Sequence, residues 1–170
     1  YKEIIKTNEK NVFYSPHSIS IALAMTYAGA KNNTANQMEQ VLNFNENIEN
    51  IHEAFNYLDT ELSKGNFLKV VNKMWGQKDY TFLDTFVDTL SLNYGAGLAL
   101  LDFMSNPDKS RSIINNWVSE QTNNKINNLL PEGSISPLTR LVLTNAIYFK
   151  ADWLNQFEKE NTNDNLFTLL

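Results

Sequence analysis

Apolar and polar positions along the chain fall into helical and strand-like periods, apart from one stretch that shows neither. From Leu141 to Phe149 (LVLTNAIYF) nearly every position is apolar or β-branched, with Arg140 before it and Lys150 and Asp152 after it. A strand with one solvated face alternates. Here Leu141, Leu143, Ile147 and Phe149 on one side and Val142, Ala146 and Tyr148 on the other all require cover. The stretch therefore predicts a fully buried strand, central in its sheet, with a layer on each face. Asn145 interrupts the first set. An amide left without partners among such neighbours costs about 1–3 kcal/mol, so a polar group is expected to meet it.

The other periodicities give helices first and then strands interleaved with helices, an α+β order with no internal repeat. Tyr1 to Thr7, with Ile4 and Ile5 between charges, reads as the end of an amphipathic helix, and Val12 to Tyr14 as a brief strand. Ser15 followed by Pro16 supplies an N-cap hydroxyl and a proline at the first helical position, opening a helix to about Ala28 that Gly29 stops. Ile19, Ile21, Ala22, Leu23, Ala24 and Met25 make that helix apolar nearly all round, so it is expected beneath the sheet. Thr34 and Gln37 pair as a capping box for a second helix through Leu42. Ile48, Ile51, Phe55, Leu58 and Leu62 hold helical spacing over four turns, ending near Gly65. Leu68 to Gly76 reads as a strand with Leu68, Val70 and Met74 on one face and Lys69, Lys73 and Trp75 on the other. Phe82, Phe86 and Leu90 stripe a helix closed near Gly95, and Gly97 to Phe103 is a short strand. Asn106-Pro107 opens a helix that buries Ile113, Ile114, Trp117 and Val118, and Pro131, Gly133 and Pro137 mark the loop before the long strand.

Composition narrows this picture. The chain has 170 residues, 42% of them hydrophobic, which suits one packed core. A net charge of -5 without a long run of either sign offers neither a nucleic-acid footprint nor a basic membrane-binding face, so neither partner is expected. The lack of cysteine excludes a disulfide framework, thiolate zinc sites and a cysteine nucleophile, and leaves extracellular space and cytoplasm equally open. No apolar run reaches the length of a membrane span. The chain begins inside a helical pattern without methionine, ends on the apolar Phe167 to Leu170, and supplies few strand partners for its long strand. It is therefore expected to be a portion of a longer protein.

Candidate chemistry is sparse. His17 and His52 are the two histidines, and neither has the spacing of a metal site or a histidine–carboxylate pair. No catalytic residue, metal or cofactor is expected, and the chain does not read as an enzyme. Asp59 and Glu61, Asp84 and Asp88, and Glu158 and Glu160 read as solvated faces, and Gly95-Ala96-Gly97 as a helix stop rather than a phosphate cradle. Trp75, Trp117 and Trp153 are expected to pack in the core, Trp153 standing at a strand end next to charges. Asn32-Asn33-Thr34 is a glycosylation sequon, used at Asn32 if the chain is secreted. Ser15 and Ser18 occupy the first turn of the Pro16 helix, near the level where a crossing strand would present Asn145. Two readings stand side by side there: a plain helix cap with Asn145 satisfied by backbone, or a functional polar cluster.

NVFYSPHSISIALAMTYAGAKNNTANQMEQVL, NKMWGQKDYTFLDTF, LLDF, NNWVSEQTNNKINNLL and PLTRLVLTNAIYFKADWLNQFE follow one another in the chain. In order, spacing and identity they closely resemble the serpin family, over essentially the whole length, and Lys109 to Phe167 is most similar to its ovalbumin-type branch. The resemblance implies helices packed on a large central β-sheet, present as an incomplete N-terminal portion. Residues 1–170 would run from late in the first helix through the third strand of that sheet and the loop after it.

The implied function is inhibition of a serine, or in some members a cysteine, endopeptidase by covalent trapping. The protease cleaves an exposed reactive loop and is carried across as the loop inserts beside Leu141–Phe149. The reactive centre is not in this chain. The alternative is a non-inhibitory serpin-fold binding protein, a carrier or chaperone. In family terms Ser15, Ser18 and Asn145 match the shutter, the polar cluster that controls where the sheet parts, and Trp153 matches the tryptophan at the breach, where insertion begins. Loss of shutter control is expected to favour self-polymerisation. Ala151 stands where many members have glycine, and His17 is unusual within the SPxSIS motif.

Overall fold

Serine before proline, glycine after the last turn and a periodic apolar stripe set most element boundaries. The computed structural model describes Lys6, Val12 and residues 14–44, 48–65 and 67–166, the side chains of Ile48 and Glu49 excepted. Among them the order is α1 (Pro16–Ala28), α2 (Asn32–Leu42), α3 (Ile48–Ser63), β1 (Leu68–Gln77), α4 (Asp84–Tyr94), β2 (Leu98–Leu101), α5 (Pro107–Gln121) and β3 (Leu141–Phe149), with a 3-10 turn at Lys159–Asn161. The helix expected over Tyr1 to Thr7 lies outside the described residues except for Lys6, which is helical. Val12 and Tyr14 belong to no strand, and Phe13 lies outside the described residues.

The sheet runs β2-β1-β3, with β1 parallel to β2 and antiparallel to β3. Leu141–Phe149, expected to be central and fully buried, has one strand partner among the described residues, in line with the few partners expected for it in this chain. Among the described residues β1 is the middle strand and β3 an edge strand, and most of β3 is half-buried, with only Thr144 and Ala146 fully so. An apolar run on both faces reports that both faces are covered and carries no information about the hydrogen-bonding edges, which run perpendicular to the side chains.

The two faces bury separate clusters. Beneath β1 and β3 lie Ile21, Ala24 and Met25 of α1 with Leu90 and Tyr94 of α4, against Val70, Met74, Leu141 and Leu143. On the opposite face Trp75, Phe103, Ile114 and Ile135 form a second cluster with Trp117 and Val142. The Trp75 indole N–H donates to Thr144 Oγ1 at 3.0 Å, so its one donor is satisfied where it is buried. Lys73 Nζ stands 5.4 Å from the Trp75 ring and 5.7 Å from the Trp117 ring. Gly76 makes the close packing of Phe82 on β1 feasible, since a Cβ there would lie 2.5 Å from that ring. Gly95 ends α4 at φ 58°, the left-handed conformation that glycine reaches without strain.

Several local expectations fail. Helix α2 starts at Asn32, with φ 51°, and has no side-chain cap, so Thr34 and Gln37 sit inside the helix instead of opening it. Ile19 and Leu23 of α1 are exposed while Ile21, Ala24 and Met25 are buried, and Ile113 of α5 is also exposed. Each of these helices meets the sheet along one side only, so an apolar residue off that side stays at the surface. Trp153 is 73% exposed and meets Phe157 edge-on, with ring centroids 6.0 Å apart; it lies beyond the end of β3, where no layer of described residues covers it.

Candidate functional site

The N-terminus of α1 fixes the geometry of the polar cluster. Ser15 Oγ accepts the Ser18 backbone N–H at 3.2 Å, and Pro16 occupies the first turn, where its missing N–H would have had no helical partner. That turn presents the Ser18 hydroxyl to β3, where it donates to Asn145 Oδ1 in a short hydrogen bond. Asn145 Nδ2 in turn donates to Asn72 Oδ1 at 2.7 Å, across the β1–β3 register in which the two asparagines are partners. Asn72 Nδ2 donates to the Tyr94 carbonyl at 2.9 Å, at the end of α4. The chain of hydrogen bonds thus joins α1, β3, β1 and α4 through side-chain groups that an apolar environment would otherwise penalise.

Of the three cluster residues expected from the sequence, Ser18 and Asn145 meet directly, and Ser15 supports them by capping the helix. Asn72 was missed. Its signal matched that of Asn145, an amide on the otherwise apolar face formed by Leu68, Val70 and Met74, but pairing it with Asn145 requires the strand register. Trp153 and Asn32 stand apart from the cluster, both exposed.

A second set of polar contacts ties α3 to the same region. His52 is buried, and its Nδ1 and the Tyr94 hydroxyl share a hydrogen bond at 2.6 Å. Its Nε2 is buried without a hydrogen-bond partner among the described residues. Burial lowers the His52 pKa and holds the ring neutral, while burial, aided by the negative charge of Asp59, raises that of Tyr94. His17 Nε2 is 2.8 Å from Asp59 Oδ1, joining the first turn of α1 to α3. Burial raises the Asp59 pKa, and the hydrogen bond and charge of His17 oppose that shift. Asp59 is therefore not part of a solvated face, because helical spacing alone did not show that α3 turns this carboxylate towards α1.

Among the described residues no three His, Asp or Glu side chains gather as a metal site, and no helix is long and apolar enough to cross a membrane.

Helices on both faces of a mixed sheet, with a serine-capped helix hydrogen-bonded to a strand amide beneath it, define an α+β protein whose sheet carries a polar cross-link inside an apolar layer. The family model for Serpin (serine protease inhibitor) matches residues 1–170, and the chain belongs to the serpin family. Serpin B6 of Pongo abelii is 50% identical over 171 residues, covering 98% of this chain and 46% of that protein. The leukocyte elastase inhibitor of Xenopus tropicalis is 42% identical over 172 residues, covering 96% of this chain and 45% of that protein. Among solved structures, a cleaved Serpin 42Da superposes with a TM-score of 0.91 at 32% identity, covering 98% of this chain and 45% of that one. The chain spans about half the length of the curated relatives it matches. The matched part is the N-terminal half of the serpin fold, with a partial mixed sheet.

Proposed function

We propose that residues 1–170 form the first part of a serpin domain, from late in its first helix through the third strand of the large sheet and the loop after it, and that the protein inhibits a serine-type endopeptidase by covalent trapping. The observation that supports this best is the chain of hydrogen bonds from Ser18 through Asn145 to Asn72. It fixes β3 against α1 and β1, so releasing it is what opening the sheet beside β3 requires. A strand entering there would gain ladder hydrogen bonds, each contributing about 0.5–1.5 kcal/mol net. The relative named as an inhibitor of leukocyte elastase supports an endopeptidase as the partner.

In this reading the protease serine attacks a carbonyl of the reactive loop, the peptide bond breaks with release of the amine, and the acyl ester persists because loop insertion carries the protease away before water attacks. In this reading this chain provides the sheet, and the catalytic groups are those of the protease. Ser15, Ser18, Asn72 and Asn145 act as the shutter. Hydrogen bonds from α1 hold β3 in place until insertion is favourable. Trp153, exposed beyond the end of β3, marks the breach where the loop first enters. Asn32, exposed at the start of α2, is the glycan acceptor if the protein is secreted.

The test is a denaturing gel of the protein at its natural length after incubation with serine and cysteine proteases. A band shifted by the mass of one protease and resistant to denaturant is expected with a serine protease. Cleavage without a complex would overturn inhibition and favour the binding-protein reading, a carrier or chaperone.

A further inference from the structure

Between α3, β1 and the end of α4 lies a cavity of about 280 Å³, lined by Asn56, Asp59, Thr60, Asn72, Asn93 and neighbouring positions. One N–H of each lining amide is already engaged. Asn56 Nδ2 donates to the Leu92 carbonyl at 2.8 Å, Asn72 Nδ2 to the Tyr94 carbonyl at 2.9 Å and Asn93 Nδ2 to the Thr89 carbonyl at 3.0 Å. Beside the remaining N–H groups and the Thr60 and Ser63 hydroxyls, the cavity holds unused acceptor oxygens. The Asn93 side-chain carbonyl accepts no hydrogen bond among the described residues, and that of Asn56 has only a long one, 3.4 Å from Thr60 Oγ1. Asp59 supplies the one charge of the lining, with no lysine or arginine to balance it. His17 engages one of its oxygens, which leaves the second open.

We propose that this cavity is a binding site for a small organic cation carrying a guanidinium or alkylammonium head, with Asp59 as its anionic anchor and the Asn56 and Asn93 carbonyls as further acceptors. A carboxylate beside neutral amide oxygens matches a fork of N–H donors. It does not match a hard divalent ion, which takes six or more oxygens, several of them from carboxylates. The volume, equal to about nine waters at roughly 30 Å³ each, admits such a head with a short stem. Asn72 forms part of the wall and also holds Asn145, so an occupant rests against the residue that links this cavity to the sheet cluster. The site requires only α3, β1 and α4, and is independent of any inhibitory activity.

Calorimetric titration of the protein at its natural length with methylguanidinium tests the proposal, with methylurea as the neutral molecule of the same shape. Saturable binding of methylguanidinium at least tenfold tighter than that of methylurea is expected. Asp59→Asn is expected to weaken it at least tenfold. Thr60→Lys, made at an exposed position and therefore compatible with folding, is expected to do the same by tethering an ammonium over the cavity. Agmatine and N-acetylarginine amide distinguish the sources: tighter binding of agmatine assigns a free cation, and equal binding assigns an arginine side chain of a partner. No saturable binding, equal binding of methylurea, or unchanged affinity in a folded variant would overturn the site.

Discussion

The two faces of the sheet bury polar groups by different means. On the α5 face the Trp75 indole donates to the Thr144 hydroxyl, which donates to the Lys73 carbonyl at 3.3 Å, and the elements are held by ring packing. On the α1 face Ser18, Asn145, Asn72 and the Tyr94 carbonyl form a relay through four elements. Packing is lost gradually and at great total cost when elements slide, because each buried ring gives up many contacts together. A relay of hydrogen bonds can exchange partners one at a time, each at a modest net cost. The comparison assigns bulk stability to the α5 face and control of strand position to the α1 face.

Trp75→Ala should produce the largest loss, about 3–5 kcal/mol, through the cavity it leaves and the loss of the donor to Thr144. A denaturant melt of the full-length protein checks it, and a loss below about 1 kcal/mol would remove the α5 face from its assigned role. Asn145→Leu and Asn72→Leu should each cost about 1–3 kcal/mol, since each leaves the other amide buried without its partner. The double variant should cost less than the sum of the two, with a coupling of about 0.5–3 kcal/mol in the same melt. Strict additivity would mean that the 2.7 Å contact contributes nothing to stability.

His52 should give the smallest effect, visible in the pH dependence. Its folded pKa lies below the usual imidazole value of about 6.5, so below that pH the unfolded chain binds a proton that the folded one refuses. Its contribution is present above about pH 6.5 and is lost as pH falls from there towards the lowered folded value. Unfolding midpoints between pH 7.5 and 5 should fall less steeply in His52→Gln, and an identical slope would contradict the assignment.

The sequence was informative wherever a physical rule acts locally. Ser15-Pro16 and Gly29 bounded α1 as expected, Asn106-Pro107 opened α5, and the four-turn spacing from Ile48 gave α3. The same locality explains the failures. Strand order is a property of neighbouring strands, so the apolar run of β3 could not name β1 as its partner. The Asn72–Asn145 and His17–Asp59 pairs join residues 73 and 42 positions apart, and only register and helix rotation bring them together. Trp153 resembles its buried counterparts in type and differs only in lacking a layer above it. Ser15, Ser18 and Asn145 were therefore readable, from a helix start and an amide on an apolar face, while Asn72 and the connections among the members were not.

The central claim is that the α1 face controls the position of β3. It is tested most directly by polymer formation of the full-length protein on native gels during mild heating, comparing Asn145→Leu with a Trp75→Phe variant at temperatures where their stabilities match. Faster polymerisation of Asn145→Leu is predicted, because β3 loses its tie to Ser18 and Asn72. Equal rates at matched stability would show that the cluster acts only as one more stabilising contact, and would contradict the account.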